Sequence, residues 1–221
     1  MSKKDEEKLR KQQEKLEKEI ARTESMSVYE KQYADCQAIC GIDEVGRGPF
    51  AGPVVAAAVI LPKDNPILYL NDSKKLSEKK RDEVYEDIIN DAVAFSVGIA
   101  TEKEIDEINI LNATFLAMRR AVEGLSIKPD FAYIDGNQYP KTGIAEETIV
   151  KGDGKCISVA AASIIAKVSR DRFMLEIAKK YPEYQFEKHK GYGTKLHYEM
   201  LEQHGVSEVH RRTFLKKILG E

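Results

Sequence analysis

The sequence predicts an α/β domain with a mixed central sheet flanked by helices and a helical C-terminal part. Two observations carry that expectation. Three strand-like runs read as antiparallel neighbours early in the chain, and a later stretch alternates strand and helix. After the long helical segment that begins near residue 157, only loop and helix patterns remain.

In chain order, residues 3 to 25 are rich in Lys, Glu and Gln, with Leu9, Leu16 and Ile20 as a thin apolar stripe. They read as a charged helix, marginal alone, that docks on the domain or frays. Residues 38 to 45 (AICGIDEV) form a strand. Gly46, Gly48, Gly52 and Pro53 then punctuate a turn before a second strand at 54 to 61, so the two make a hairpin. Ser77 caps a helix from about 78 to 91, and 94 to 101 is a third strand. Thr101 and Glu104 resemble a capping box. Residues 110 to 125 are helical and end near Gly124; FAYID at 131 to 135 is a short strand ending in a turn at Asp135-Gly136. ETIVKGDG (147 to 154) suggests a strand running into a loop. Residues 157 to 181 form a long helix stopped by Pro182, and helices near 195 to 204 and 211 to 219 close the chain.

With 221 residues, 42% hydrophobic and 33% charged, the chain suits one globular domain of residues 28 to 221 preceded by a charged helical extension of residues 1 to 27. No apolar run approaches the ~18 residues of a membrane span. The N-terminus lacks a secretory signal, which makes the cytoplasm the expected compartment. Cys36, Cys40 and Cys156 are an odd count without a C-x-x-C pair and are expected as thiols. His189, His197, His204 and His210 lack metal-site spacing and are assigned structural or surface roles. The net charge of -2 is uneven, with residues 26 to 150 at -8 and residues 151 to 221 at +5. An acidic part suits divalent cations and a basic third suits phosphates, although plain solvated surface explains the split equally well.

Carboxylates at the ends of separate strands are what a two-metal phosphodiester hydrolase requires, because hard cations take oxygen ligands. Two such ions about 4 Å apart activate water and stabilise the leaving oxygen. Asp43 closes one apolar run, Asp135 closes FAYI and Asp153 follows TIVKG. Each, taken singly, is equally suited to capping a turn. Glu44 poses a difficulty, since neighbours on a regular strand face opposite ways; a bend or bulge at the strand end allowed by Gly46 and Gly48, with the longer Glu side chain or its backbone carbonyl supplying the ligand, is the expected resolution. Gly46-Arg47-Gly48 offers backbone amides without bulky side chains, suited to close approach by a sugar, although on the residues alone a simple turn is the stronger reading, as is a partly buried aromatic for Tyr192. Lys74, Lys75, Lys151, Lys155, Lys167, Arg170, Lys188 and Lys190 are candidate phosphate contacts. Asp171 reads as an ion-pair former beside Arg170 and Arg172, and Ser163 and Ser169 as helix packing and surface positions. No arrangement for covalent catalysis is visible.

At greater length, GIDEVGRGPFAGPVVAAAVIL (41 to 61) resembles the opening motif of bacterial ribonuclease HII. NDSKKLSEKKR, EIDEINILNATFLAMRRAV, YIDGN, VKGD, AAASIIAKVSRDR and HKGYGTKLH are similar to further segments of that family, in family order, over roughly residues 37 to 215. The resemblance implies a ribonuclease H-like fold. It implies hydrolysis of the RNA strand of RNA/DNA hybrids, and cutting at ribonucleotides embedded in duplex DNA, with 5′-phosphate and 3′-hydroxyl ends. Asp43, Glu44, Asp135 and Asp153 would hold two Mn²⁺ or Mg²⁺ ions. Gly46, Arg47 and Gly48 would read the 2′-hydroxyl, and Tyr192 would pack on the sugar, with Lys74, Lys75, Lys188 and Lys190 on phosphates. Work in ribonucleotide excision repair and DNA replication, as a monomer, is further implied. Three other readings are weaker. An actin-like or sugar-kinase ATPase needs a second glycine-rich phosphate loop and an adenosine loop. A non-catalytic hybrid binder would gain from losing its acids. A ribonuclease HIII normally carries a folded N-terminal domain, for which roughly 35 residues before the first strand are too few.

Overall fold

The computed structural model describes residues 2–64 and 66–220. Its five strands are β1 (Ile39–Val45), β2 (Val54–Ile60), β3 (Ala94–Ala100), β4 (Phe131–Asp135) and β5 (Ala145–Ile149), in the spatial order β3-β2-β1-β4-β5. β1 to β3 are mutually antiparallel, whereas β4 joins β1 and β5 joins β4 in parallel. The expected hairpin and mixed sheet are therefore present.

Helices cover both faces, which is why β2 reads as an unbroken apolar run rather than an alternating one. On one face α4 (Glu102–Glu123) lays Ala113, Ala117 and Ala121 against Cys40, Ile42, Ala56 and Ala58. On the other, α3 (Glu78–Asp91) and α5 (Ile157–Lys180) bury Val84, Ile88, Ala161, Ile164 and Ile165 against Ala57 and Val59. The start of α5 comes so close to the sheet that a Cβ on Gly41 would lie 2.0 Å from the backbone of Ser158. Only glycine admits that approach, and it sets α5 beside the end of β1.

Beyond the sheet, α6 (Phe186–His189), α7 (Lys195–His204) and α8 (Arg212–Leu219) gather on the second half of α5 around Met174, Tyr184, Phe186 and Leu201. The helical C-terminal part was expected; α6 was not.

Four differences from the sequence reading have physical causes. The Thr101–Glu104 capping box exists, but it starts a helix at Glu102 rather than at residue 110. Asn109, at φ 66°, breaks that helix, and its side chain accepts from Leu111 N and Asn112 N to start the second half. β5 (Ala145–Ile149) starts before residue 147 and then runs into a loop as expected, where Lys151 turns left-handed at φ 58° and 152–154 forms a 3₁₀ turn. At the N-terminus, α1 (Lys3–Met26) docks by its last turns and leaves Leu9, Leu16 and Ile20 exposed. Docking uses buried Met26, an Arg22 bond to Leu70 O (2.7 Å) and a Tyr69 N bond to Glu19 (2.7 Å). A short unexpected helix, α2 (Val28–Gln32), follows. Its Glu30 accepts from Ser158 N (3.0 Å) and so caps α5, while Tyr33 stacks on Phe131 at 4.0 Å.

Candidate active site

Ile42 pairs with Ile134 across the parallel β1 and β4, so Asp43 and Asp135 follow at one level on strands that lie about 4.8 Å apart. Strand alternation sends both toward the α5 face, the side of Gly41 and Tyr133, and Asp43 is only 6% exposed. Asp43 Oδ1 accepts from Glu44 N at 2.7 Å. Asp135 Oδ1 accepts from Gly152 N at 2.6 Å, which fastens the turn carrying Asp153 to the end of β4. Asp135 and Asp153 then line an open cleft with Asp72, Lys74, Lys75, Lys151 and Lys155.

Glu44 keeps its regular place in the ladder opposite Ala56, and pairing continues without a bulge to Val45. Of the expected bend or bulge the structure has the bend, at Gly46 with φ 93°, after the regular pairing ends at Val45. Glu44 therefore sits on the opposite face at the strand end, 3.4 Å from Arg47 Nη1. Its carboxylate still feels Asp135.

Charge ties the four acids together. Burial, then Glu44 and Asp135, pushes Asp43 well above the usual carboxylate range. Burial also raises Glu44, opposed by Arg47 and reinforced by Asp135. Asp153 is raised by burial, Asp135 and Asp72, against the pull of Lys74 and Lys75. Among the described residues no three acidic, histidine or cysteine groups already converge on one point. The donor set nevertheless fits hard divalent cations: it is all oxygen, partly buried, and crowded with negative charge that a cation would relieve.

Beside the acids stands a loop scaffold that sequence reasoning missed. Arg211, fully buried, donates to Gly46 O (2.6 Å), Arg47 O (3.0 Å) and Gly52 O (2.9 Å). Arg170, equally buried, donates to Pro53 O, Ala51 O and Lys190 O. Its assignment to phosphate is corrected: the guanidinium is enclosed and spent on carbonyls. A Cβ on Gly46 would lie 2.2 Å from Arg170 Nε, which explains why glycine stands there in addition to its positive φ. Through Arg170 and the Phe50 N bond to Gly191 O (2.8 Å), the loop of Gly46 to Gly48 and the loop of Tyr192 become one body. Tyr192 is 41% exposed, with its ring edge 3.9 Å from where a Gly48 Cβ would be.

The remaining candidates divide. Lys74 and Lys75 are exposed in the acidic cleft. Lys155 bonds Val150 O, Lys188 bonds Gln185, and Lys190 bonds Glu187 O, each within its own loop. Lys167 pairs with Asp171 at 2.7 Å, so Asp171 is an ion-pair former as expected, but with Lys167 in place of its neighbouring arginines. Ser163 is buried in the helix packing, where its hydroxyl donates to Ser73 Oγ at 3.1 Å, and its nearness favours the charged form of Asp43. The only signal for it in the sequence was a polar residue within an otherwise apolar helical face.

This mixed sheet, with acids at the ends of its two central parallel strands and helices on both faces, defines a ribonuclease H-like hydrolase. The family model for ribonuclease HII matches residues 40–217. The ribonuclease HII of Caldicellulosiruptor bescii is 56% identical over 182 residues, covering 82% of this chain and 88% of its own. That of Clostridioides difficile is 50% identical over 214 residues, covering 96% and 84%. Among solved structures, the ribonuclease H2 of Pyrococcus horikoshii OT3 superposes with a TM-score of 0.67 at 30% identity, covering 80% and 93%. The chain belongs to the ribonuclease HII family, which makes it a metal-dependent endonuclease. No described helix is long and apolar enough to cross a membrane.

Proposed function

We propose that the chain cuts the RNA strand of RNA/DNA hybrids and also cleaves at single ribonucleotides embedded in duplex DNA, leaving 5′-phosphate and 3′-hydroxyl ends. One observation carries the reading: the Gly46-Arg47-Gly48 loop and Tyr192 are held together beside the acidic strand ends, through Arg170 and the Arg47–Glu44 contact. A ribose edge presented to exposed Gly48 would meet unshielded backbone, and the 2′-hydroxyl is what separates RNA from DNA at such a position.

Asp43, Glu44, Asp135 and Asp153 would hold two divalent ions, Mg²⁺ or Mn²⁺, which when bound lower the pKa of water and stabilise charge on the phosphate. Asp43 and Asp135 supply oxygens from one face of the sheet; Gly152 N orients Asp135. Glu44 N orients Asp43, and buried Ser163 favours its charged form. Lys74 and Lys75 stand where they would meet backbone phosphates entering the cleft, and Tyr192 would pack on the sugar at the scissile step. Residues 28 to 221 form the catalytic domain and act as a cytoplasmic monomer. Ribonucleotide excision during DNA replication and repair is the setting in which such cutting is required.

The test is cleavage of a duplex with one embedded ribonucleotide, compared with an all-DNA duplex and a long hybrid, in Mg²⁺ and in Mn²⁺. A single cut beside the ribonucleotide with a 3′-hydroxyl end is expected. Cleavage of the long hybrid alone would remove the embedded-ribonucleotide activity, and equal cleavage of all-DNA duplex would remove the sugar-reading role of the loop.

A further inference from the structure

Three histidines lie under the Tyr192 loop with almost no exposure: His189, His197 and His210. His189 and His197 stack at 4.4 Å, and His197 Nε2 is 3.0 Å from His210 Nε2. Their hydrogen-bond partners leave one way to place the protons. The backbone N–H of Ser207 can only donate, and it points at His210 Nδ1 at 3.0 Å. His210 Nδ1 is therefore bare, and neutral His210 carries its proton on Nε2. That proton goes to His197 Nε2, which must then be bare, so His197 carries its own proton on Nδ1. There it donates to the backbone carbonyl of Tyr192 at 3.0 Å. The same logic fixes His189: Gly191 N donates to its Nδ1, and its Nε2–H donates to Tyr184 O at 2.9 Å.

We infer that His197 is a positioning residue for Tyr192, and that His210 with Ser207 selects the tautomer in which His197 can hold that carbonyl. The carbonyl of Tyr192 also accepts from Thr194 N at 2.8 Å, so the peptide plane that directs the tyrosine side chain is pinned from two sides. A second proton on either His197 or His210 would set donor against donor, at His197 Nε2–His210 Nε2 or at His210 Nδ1–Ser207 N. Burial draws both rings down to about 4, so they remain neutral near pH 7. Phe50 closes the site from the other side: a Cβ on Gly193 would lie 2.4 Å from its ring. The inference rests on reading Tyr192 as the ribose contact, but its structural half stands independently.

Two variants separate positioning from plain packing. His197→Asn keeps an amide donor close to the place of Nδ1, whereas His197→Ala removes it. Single-turnover cleavage at an embedded ribonucleotide should fall roughly tenfold to a hundredfold in His197→Ala, the scale of a 1 Å misplacement. Duplex affinity should stay near the parent value, and His197→Asn should recover most of the rate. Nitrogen-15 NMR of the unaltered protein should show His197 protonated on Nδ1 and His210 on Nε2. Equal loss in both variants at equal thermal stability, or His197 protonated on Nε2 in the parent, would overturn the assignment. If the parent protein fails to cut at an embedded ribonucleotide, the functional reading falls, while the tautomer measurement still decides this one.

Discussion

At the ends of β1 and β4, Asp43, Glu44, Asp135 and Asp153 crowd negative charge into a partly buried cleft, and each shifted acid there is raised by its neighbours as well as by burial. Immediately beside it, Arg170, Arg211, His189, His197 and His210 are also buried, yet none of their side-chain nitrogens is without a partner. Burial and the nearness of Arg170 do pull Arg211 down to about 9, but it remains charged at neutral pH and meets three carbonyls. The difference teaches which region binds and which supports. A cleft with unrelieved charge gains when cations arrive; a scaffold in which every side-chain nitrogen already has a partner instead fixes the loops that face it.

The largest expected effect breaks the cleft alone. Asp43→Asn or Asp135→Asn should reduce cleavage by two orders of magnitude or more, the scale on which one transition-state charge partner acts (about 10²–10³). Shape is kept, so far-ultraviolet circular dichroism should be unchanged. Near-parent turnover in saturating Mg²⁺ by either purified variant would show that the acids are not the metal ligands.

Breaking the scaffold should act on stability first. Arg211→Ala strands the carbonyls of Gly46 and Gly52 in buried contacts and that of Arg47 in a part-buried one, and one unsatisfied buried group costs about 1–3 kcal/mol. A total near 3 kcal/mol lowers the melting temperature by roughly 6–12 °C in a chain of this size. Calorimetry showing a loss below 2 °C would mean that the loop carbonyls find water and that the clamp is dispensable.

The smallest effect sharpens the contrast through pH, because the two regions answer acid with opposite signs. Asp43 is raised, so below its unfolded value it costs nothing, and stability is lost as pH rises toward its folded value. His197 and His210 are lowered from 6.5 to about 4, so the unfolded chain takes up protons first and stability is lost as pH falls across that window. In metal-free buffer Asp43→Asn should therefore melt above the parent at pH 8, by about 2–4 °C per kcal/mol relieved. Its melting temperature should also fall more steeply from pH 7 to pH 5 than the parent's. Parallel pH profiles for the two proteins would contradict the buried, repelled state of Asp43.

The sequence by itself determined the five strands, the hairpin, the three main helices apart from the start of α4, and the strand ends at which Asp43 and Asp135 stand; the strand order that brings those ends together came from the tertiary structure. The elements themselves follow from local periodicity, caps and strand ends, which a chain carries in its own neighbourhood. The long motif from Gly41 to Leu61 also carried the family. Only the tertiary structure decided where long side chains end. Arg170 sits in a run of charges that reads as surface, yet Pro53 and Lys190, 117 and 20 residues away, enclose it. Arg211 and Ser163 became part of the site for the same reason, as did the three histidines, whose spacing in the sequence signals nothing. The stripe of Leu9, Leu16 and Ile20 made the opposite error, since apolar spacing gave a helix face but not a partner for it. Burial and hydrogen-bond partnership arise between segments distant in sequence, so no local pattern can specify them, whereas the turn, cap and strand that bring those segments together are written locally.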